Sequence, residues 1–317
     1  MAGEASVLIF SPNLALDHII EVEQLVVGGV QRALTGSLSA GGKGVNAARA
    51  ANCIGLDAHV IGLVGGSTGD VLRALLAEEG IDVQSPAVDT LTRIATIVVD
   101  HSAGTTTVLN EPGPVLRSDD WTALTDLLET RLDGASTLAC TGSLPPGMAD
   151  DAYVSVLAMA RDRGVPTIVD AAGATLRAML TASPTVIKVN ADEAARTLDK
   201  KSAGAEQAKD VAIRLAQALH DRSGSVAIVT IDRGAALAHA GGRAFVESPV
   251  VEVINEVGAG DSFLAALAGA LPQGVDVTAA CVRAVAVAAA SVETAQPGML
   301  SSARAQILEK SVLVENM

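Results

Sequence analysis

A glycine-rich segment near the end of the chain combines a backbone suited to anions with a single carboxylate. Residues 255–267 read Asn-Glu-Val-Gly-Ala-Gly-Asp-Ser-Phe-Leu-Ala-Ala-Leu, after a β-like run at 250–254 and at the start of a helical pattern. Glycines permit a tight turn beside a ligand, and the free N–H groups of a first helical turn bind anions. Asp261 has a chemical use there if it removes a proton from a hydroxyl group that attacks a bound phosphate. The alternative is a carboxylate that caps the helix.

A second glycine-rich segment opens a predicted helix near the start of the chain. Residues 40–49 read Ala-Gly-Gly-Lys-Gly-Val-Asn-Ala-Ala-Arg, which places Asn46 in the first turn, where its amide can meet a polyhydroxyl ligand. The alternative is a glycine turn with Asn46 as a helix-start residue. Neither segment contains the GxxxxGK[ST] loop of P-loop proteins, and the run at 62–66 lacks the glycine spacing of a dinucleotide fingerprint.

The composition argues against several classes of function. The 317 residues carry 36 acidic and 22 basic side chains, a net charge of −14, and only 2% aromatic residues, which disfavours binding to nucleic acid or to an anionic membrane. The three cysteines are far apart and form no zinc-site or disulfide pattern. With no basic leader and no unbroken apolar run of about 20 residues, we expect a cytoplasmic protein.

Short apolar runs alternate with longer amphipathic segments rich in alanine and leucine. Apolar strands that are each followed by a helix predict a mostly parallel sheet with both faces covered. The predicted strands are 7–11, 59–64, 137–141, 167–170, 186–189 and 226–231, and the predicted helices are 44–54, 70–79, 121–132, 151–163, 192–198, 209–220 and 262–271.

Two segments do not fit this alternation. Residues 18–40 and 92–110 alternate as half-buried antiparallel strands do, and 96–100 with 105–110 form a predicted hairpin. We expect these segments to form a small β-sheet lid over one edge of the main sheet. The exposed edges of such a lid favour a homodimer formed through it.

Both glycine segments resemble the two signatures of the ribokinase-like (phosphofructokinase B) family of carbohydrate kinases. Other family motifs follow in family order, at residues 11–17 (Ser-Pro-Asn-Leu-Ala-Leu-Asp), 141–147 (Thr-Gly-Ser-Leu-Pro-Pro-Gly), 188–193 (Lys-Val-Asn-Ala-Asp-Glu) and 230–235 (Thr-Ile-Asp-Arg-Gly-Ala). The resemblance covers nearly the whole chain and implies one ribokinase-like domain over residues 1–317. This domain is a three-layer α/β/α structure with a mostly parallel central sheet and a small β lid.

The resemblance also implies roles for individual residues and identifies ATP and Mg²⁺ as the cofactors. Asp261 is the expected general base, and the backbone of Gly258, Ala259 and Gly260 is the expected anion hole. The expected nucleotide-binding residues are Lys188, Asn190, Thr230 and Gly234, with Glu193 holding Mg²⁺ through water. The expected substrate-binding residues are Asp17, Arg32, Gly42, Lys43, Asn46, Arg93 and Ser143.

Three of these residues decide the expected substrate. Arg32, Lys43 and Arg93 lie on the lid and the substrate loop, and converging cations favour a sugar that already carries a phosphate. The resemblance is greatest to the branch of 1-phosphofructokinase and tagatose-6-phosphate kinase, so the expected reaction converts fructose 1-phosphate and ATP into fructose 1,6-bisphosphate. Fructose 6-phosphate, tagatose 6-phosphate or an unphosphorylated sugar are the alternatives within the family. A non-catalytic sugar or nucleotide sensor and a dinucleotide-dependent oxidoreductase are the alternatives outside it.

The sequence departs from the family pattern in two places. Asn255 and Glu256 stand where the family has Asp-Thr or Ser-Thr, which affects any metal or phosphate contact from those positions. Val189 replaces the proline of the family's Lys-Pro-Asn motif and leaves Asn190 and Glu193 in place.

Overall fold

A ten-stranded sheet and a separate four-stranded sheet organise the chain. The computed structural model describes residues 6–200 and 208–317. The strands within this part are β1 (Ser6–Phe10), β2 (Ala15–Val22), β3 (Thr35–Gly41), β4 (Asp57–Ile61), β5 (Asp82–Gln84), β6 (Arg93–Asp100), β7 (Thr105–Asn110), β8 (Thr137–Thr141), β9 (Thr167–Asp170), β10 (Val186–Asn190), β11 (Val226–Ile231), β12 (Gly234–His239), β13 (Gly242–Glu247) and β14 (Leu313–Asn316). The helices are α1 (Lys43–Cys53), α2 (Gly66–Glu78), α3 (Ser118–Leu132), α4 (Ala152–Asp162), α5 (Gly173–Leu180), α6 (Ala191–Thr197), α7 (Ala208–Ser223), α8 (Ala259–Ala270), α9 (Val277–Ser291) and α10 (Ser302–Glu309), with a 3₁₀ turn at Leu271–Gln273.

The large sheet has the strand order β14-β13-β12-β11-β10-β9-β8-β1-β4-β5. The strands from β11 to β5 are parallel, and β12, β13 and β14 extend the sheet as antiparallel strands. Because successive side chains of a strand point to opposite faces, β1 contributes Val7 and Ile9 to one core and Leu8 and Phe10 to the other. Helices cover both faces, so the predicted three-layer fold with a mostly parallel sheet is confirmed.

The small sheet has the order β3-β2-β6-β7. Strands β2 and β6 are parallel, with Ala15 beside Arg93, while β2–β3 and β6–β7 are antiparallel. The second sheet predicted from residues 18–40 and 92–110 is confirmed, and so is the hairpin of residues 96–100 and 105–110. Strand β2 begins at Ala15, earlier than predicted, because its register with β3 continues to the pair Ala15–Gly41.

The predicted β-like run at 250–254 is wrong. Residues 250–254 form no strand, although Val251 packs against the core and the Ile254 amide donates to the Val292 carbonyl at the end of α9. The open edge of β13, where this run could have paired, is occupied instead by β14. The run therefore crosses from β13 to the glycine segment as a loop.

The three cysteines are free thiols, of which Cys140 and Cys281 are buried and Cys53 is half-buried. Among the described residues, no helix is long and apolar enough to cross a membrane. The cytoplasmic location stays a prediction.

Helix α1 packs closely against the end of β1 because residue 44 is a glycine. A Cβ at Gly44 would lie 2.4 Å from Ser11 Cβ and 2.8 Å from Ser11 Oγ. We expect Gly44→Ala to lower the free energy of unfolding by about 1–3 kcal/mol, because backbone or Ser11 must move. Urea denaturation measures this change. Gly134→Ala is the matched control, since the nearest atom to its Cβ is 4.0 Å away, and a comparable loss in that variant would contradict the argument.

Candidate active site

A cavity of about 1430 Å³ lies between the large sheet and the small one. It collects residues from the ends of β9, β10 and β11, the starts of α1 and α8, and one face of the small sheet. The sequence-predicted site residues that line it are Asp17, Gly42, Lys43, Asn46, Arg93, Ser143, Lys188, Asn190, Glu193, Thr230, Gly234, Gly258, Ala259, Gly260 and Asp261. Segments that are far apart in the sequence therefore meet around one space.

Arg32 is the predicted site residue that the structure does not bring to the cavity. It is exposed in the loop between β2 and β3 and is absent from the cavity lining. The family resemblance implies a role for Arg32 from local sequence alone, whereas the position of its side chain depends on how this loop of the small sheet is placed. A role for Arg32 stays a prediction.

The glycine segment before α8 is held in a left-handed turn against a neighbouring loop. Gly258 has φ +85°, and a Cβ there would lie 2.9 Å from the Gly298 amide nitrogen. Asn255, which departs from the family pattern, is an anchor in this structure. Its Nδ2 donates to the Ala295 carbonyl at 2.8 Å, and its Oδ1 accepts from the Val257 amide at 3.0 Å. The turn is thereby fixed to the loop that follows α9.

Because residue 260 is a glycine, the Lys188 ammonium group can lie against the start of α8. A Cβ at Gly260 would lie 2.8 Å from Lys188 Nζ, so any larger residue would displace this ammonium group. The positive end of the α8 dipole and the Lys188 charge therefore act on the same point in the cavity. This arrangement suits a phosphate group.

Asp261 is a buried carboxylate in the first turn of α8, only 6% exposed. Its Oδ2 accepts a hydrogen bond from Asn46 Nδ2 at 2.9 Å. Burial raises the pKa of Asp261 from 3.8 to about 6, with Asp170 adding to the rise, while Lys43, Asn46 and Lys188 act in the opposite direction. A carboxylate with this pKa is ionised at neutral pH and remains a better proton acceptor than an ordinary aspartate.

Asp170 is a site residue that the sequence analysis missed. It ends β9 beside Lys188 on β10, is 1% exposed, and lies between two ammonium groups. Lys188 Nζ is 2.8 Å from one of its oxygens, and Lys43 Nζ is 2.9 Å from the other. Although burial opposes ionisation, the two lysines hold the pKa of Asp170 at about 2. The only sequence signal was an acidic residue at the end of a buried strand.

Asn190 and Glu193 form a reciprocal cap on α6. Asn190 Oδ1 accepts from the Glu193 amide at 2.8 Å, and Glu193 Oε2 accepts from the Asn190 amide at 3.0 Å. The other Glu193 oxygen is 3.5 Å from Lys43 Nζ. Glu193 thus caps the start of α6, and its carboxylate also lines the cavity.

Residues 230–235 join strands β11 and β12 in an antiparallel hairpin. Gly234 has φ +141°, and a Cβ there would lie 2.1 Å from the Val246 carbonyl oxygen on β13. The glycine is therefore required by strand pairing. Thr230 Oγ1 donates to the Val189 carbonyl at 3.4 Å. Both residues still line the cavity.

The end of the cavity formed by the small sheet holds a carboxylate and a guanidinium, those of Asp17 and Arg93. Burial raises the pKa of Asp17 to about 6, opposed by the charges of Arg93 and Arg49. Arg93 donates to the carbonyls of Asn13 and Glu111 at 3.1 and 3.2 Å, which fixes its guanidinium at the cavity wall. A Cβ at Gly41 would lie 2.1 Å from the Asp17 carboxyl carbon, so this glycine gives the carboxylate its space.

Asn13 joins three segments at this end and was also missed as a separate residue. Its Nδ2 donates to Ser143 Oγ at 2.9 Å and to the Pro112 carbonyl at 3.1 Å. It therefore fixes the Gly-Ser-Leu-Pro turn to the chain that leaves the small sheet after β7. Such a contact across 130 residues leaves no local sequence signal.

The model of the pfkB family carbohydrate kinase matches residues 12–303 of this chain. The chain belongs to this family of carbohydrate kinases. A 1-phosphofructokinase from Rhodobacter capsulatus is 28% identical over 308 residues, which are 97% of this chain and 96% of that protein. The expected resemblance is confirmed, and membership of a kinase family implies ATP as the phosphoryl donor.

Solved structures confirm the ribokinase-like fold of this carbohydrate kinase. Phosphofructokinase-2 from Escherichia coli in complex with fructose-6-phosphate has a TM-score of 0.85 at 24% identity, covering 97% of this chain and 99% of that chain. A possible 1-phosphofructokinase from Thermotoga maritima has a TM-score of 0.84 at 24% identity, covering 98% and 99%. The chain is thus a sugar or sugar-phosphate kinase of this fold.

Asp261 is the residue whose removal tests the chemistry directly. We expect Asp261→Asn to lower kcat about 10²- to 10⁴-fold, because the hydroxyl loses its proton acceptor. Coupled ADP-release assays measure this loss. Asp150→Asn is the matched control, since Asp150 is an exposed carboxylate that lines the same cavity. Equal losses in both variants would remove the special role of Asp261.

The same variant has a predicted effect on stability. The folded state raises the pKa of Asp261 above its ordinary value of 3.8 to about 6, so folding favours the protonated acid. Stability therefore falls as pH rises from about 4 to about 6, and the ionised carboxylate opposes folding above that range. We expect Asp261→Asn to increase the free energy of unfolding at pH 8 by up to about 3 kcal/mol, with little gain at pH 4. The melting temperature at pH 8 should rise accordingly. Calorimetry at both pH values measures this difference.

Proposed function

We propose that the chain transfers the γ-phosphoryl group of ATP to the free primary hydroxyl of fructose 1-phosphate and produces fructose 1,6-bisphosphate. One observation carries the proposal: the cavity has a buried carboxylate beside an anion-binding helix start, and a fixed guanidinium on its small-sheet wall. These two features match the reacting hydroxyl and the phosphate of a sugar phosphate. The 1-phosphofructokinase relative supports the choice of sugar phosphate.

The proposed reaction uses Asp261 as the proton acceptor. The sugar oxygen forms a bond to the γ-phosphorus, the bond to the ADP oxygen breaks, and the hydroxyl proton passes to Asp261. Asp261 Oδ2 is occupied by Asn46, which leaves the second carboxylate oxygen for the hydroxyl. The backbone of residues 258–260 and the Lys188 ammonium lie where charge develops on the phosphoryl oxygens, and fixed donors at that place lower the barrier.

Lys43 and Lys188 would act as a pair because one carboxylate spaces them. Asp170 accepts a hydrogen bond from both ammonium groups, so both lysine side chains are already ordered before the nucleotide binds. Both lysines would present donors to the phosphates of ATP. Fixed positioning of this kind lowers the entropy cost of the reactive geometry.

The residues present fit Mg²⁺ carried by the phosphates and held through water by Glu193, near Asn190. Among the described residues, no cluster of three His, Cys, Asp or Glu side chains forms a metal cage. This matches a cation that keeps several waters and takes most of its other oxygens from ATP. Around the helix start, Asp170, Glu193 and Asp261 exceed the two lysines by one negative charge, so a divalent cation would offset part of the charge of the incoming triphosphate. Bound Mg²⁺ would neutralise charge on the transferred group.

The nucleotide base would lie in the aliphatic part of the cavity. The lining there comes from the loop after β13 and from α9, and consists of Val250, Val251, Val253, Val285, Ala288, Ala289 and Val292. These side chains can pack on both faces of a base without ring stacking. Thr230 and Gly234 lie between this region and the lysines.

The far phosphate of the sugar would be bound by Arg93, with Lys43 nearer to the reaction centre and Asp17 binding sugar hydroxyls. The Asn13 and Glu111 carbonyls hold the Arg93 guanidinium at the wall of the cavity, so part of the ordering needed for a phosphate contact is already made. Ser143 and Gly42 line the same end.

An ADP-release assay over a panel of sugars tests the proposed substrate. The panel contains fructose 1-phosphate, fructose 6-phosphate, tagatose 6-phosphate, fructose and ribose. We expect the highest kcat/KM for fructose 1-phosphate. Preference for a neutral sugar would overturn the phosphate site, and preference for another phosphosugar would keep the site and change the substrate.

Arg93→Met tests the phosphate site itself. We expect a rise of about 10- to 100-fold in the KM for the phosphosugar, because a charge-assisted hydrogen bond to the phosphate is lost, while the KM for ATP stays within about twofold. Arg32→Met is the comparison variant. An equal rise there would bring Arg32 into the phosphate site, and an unchanged KM would exclude Arg32 from it.

We also propose that two copies of the chain pair through the small sheet. Its cavity face carries Asp17, Arg93, Ala95, Ile97 and Val108, so side chains at the alternate positions form its outer face. The register places Leu38, His18, Thr96 and Leu109 in one row across that outer face. Leu38 and Leu109 are 47% and 61% exposed, and within residues 6–200 and 208–317 both edge strands, β3 and β7, are unpaired on one side.

Light scattering after size-exclusion chromatography tests this pairing. We expect the unmodified chain to be a dimer and Leu109→Asp to shift it toward monomer, because a charge would be buried in the interface. Val108→Asp is the matched control, since the neighbouring side chain faces the cavity. A monomeric unmodified chain, or equal effects of both variants, would overturn the proposal.

A further inference from the structure

Arg49 is a buried cation that lies one turn after Asn46 on α1 and does not line the cavity. It is 3% exposed. Its guanidinium bonds Glu79 Oε2 at 2.6 Å, the Pro297 carbonyl at 2.6 Å, the Ala40 carbonyl at 2.9 Å and Asn46 Oδ1 at 3.2 Å. A buried guanidinium with this many fixed acceptors holds one position.

The bond from Arg49 decides which way the Asn46 amide faces. Arginine has only donors, so the atom of Asn46 beside it must be the carbonyl oxygen. The Nδ2 group therefore faces Asp261 and donates to it at 2.9 Å. The opposite orientation would place an oxygen lone pair against the carboxylate and an N–H group against the guanidinium.

The orientation of this amide bears on the proton acceptor. A donated hydrogen bond favours the ionised form of Asp261 and counteracts the effect of burial. The other charged groups that face Asp261 are Lys43, Lys188 and Asp170, and all three are fixed to one another by ion pairs. Asn46 is therefore the neighbour of Asp261 whose orientation is set by a residue outside the cavity, Arg49.

Arg49 also joins the parts of the molecule that surround Asp261, the proposed proton acceptor. Ala40 belongs to β3 of the small sheet, and Pro297 packs against Gly258 in the turn before α8. Glu79 at the end of α2 balances the charge, and Gln296 Nε2 holds the other Glu79 oxygen at 3.3 Å. One guanidinium thus links the small sheet, α1 and the loop behind the glycine turn.

We propose that Arg49 is a positioning residue for phosphoryl transfer, which orients the Asn46 amide toward Asp261 and fixes this pair to strand β3 and to the 294–299 loop. The inference rests on the proposed function in one respect, that Asp261 is the proton acceptor. Arg49 itself touches neither sugar nor nucleotide in this arrangement.

A double-mutant cycle between Arg49 and Asn46 tests the inference. Arg49→Lys keeps a positive charge beside Glu79 and removes the guanidinium N–H group that donates to Asn46 Oδ1. With the best sugar of the panel, we expect kcat to fall about 10- to 100-fold, the KM for ATP to stay within about twofold, and the acid limb of the kcat–pH profile to move upward. In an Asn46→Ala background, Arg49→Lys should cost less than about twofold further, because it acts through the missing amide.

Arg163→Lys is the matched control, because Arg163 forms a similar fork with Glu129 and Asp133 away from the cavity. If Arg49→Lys fails to fold by circular dichroism, the double variant Arg49→Gln/Glu79→Gln removes both charges and enters the same cycle. Additive losses, or a lower kcat with an unmoved acid limb, would show a merely structural role and overturn the inference.

The outcome for Asp261→Asn separates this inference from the proposed function. Loss of activity in Asp261→Asn together with an additive cycle overturns the role of Arg49 alone. Full activity in Asp261→Asn overturns the proposed mechanism and the inference with it.

Discussion

The arrangement of the site depends on keeping one carboxylate buried and ionised at the start of a helix. Burial of Asp261 excludes water from the proton acceptor, and the same burial raises its pKa and opposes the charged form. Lys43 and the Asn46 amide, both on α1, and Lys188 on β10 supply the compensating interactions. The glycines at 258, 260 and 298 follow from this constraint, because each lets backbone or a cation approach where a Cβ would collide.

The fold brings these compensating groups together through the parallel sheet. Strands β9 and β10 end side by side, so Asp170 and Lys188 meet as register neighbours, and α1 enters from the other side of the cavity with Lys43 and Asn46. Because the carboxyl ends of parallel strands share one edge, a single cavity receives residues separated by more than 100 positions. The small sheet then covers the sugar end and adds Asp17 and Arg93.

Much of this architecture could be predicted from the sequence, because apolar runs and glycine turns are local signals. The strands at 137–141, 167–170 and 226–231 were predicted with their observed bounds. Asp170 was missed because its place in the site depends on its ion pair with Lys43, which is 127 residues away in the sequence. The run at 250–254 has strand-forming residues, yet β14, from the end of the chain, occupies the edge it would need. Contacts between distant segments decided both cases.

Two carboxylates that line the cavity, Asp17 and Asp261, have a pKa of about 6, and the proposed reaction needs Asp261 in the ionised form. Burial opposes ionisation at both carboxylates, so each requires its own cation or donor. Arg49 acts on both: its charge opposes the effect of burial on Asp17, and its hydrogen bond orients the amide that donates to Asp261. A cation outside the cavity can do this without competing with the substrate phosphates, because its donors already bond protein oxygens. The buried position of Arg49 therefore separates stabilisation of the two acids from recognition of the substrate, which is left to Lys43, Lys188 and Arg93.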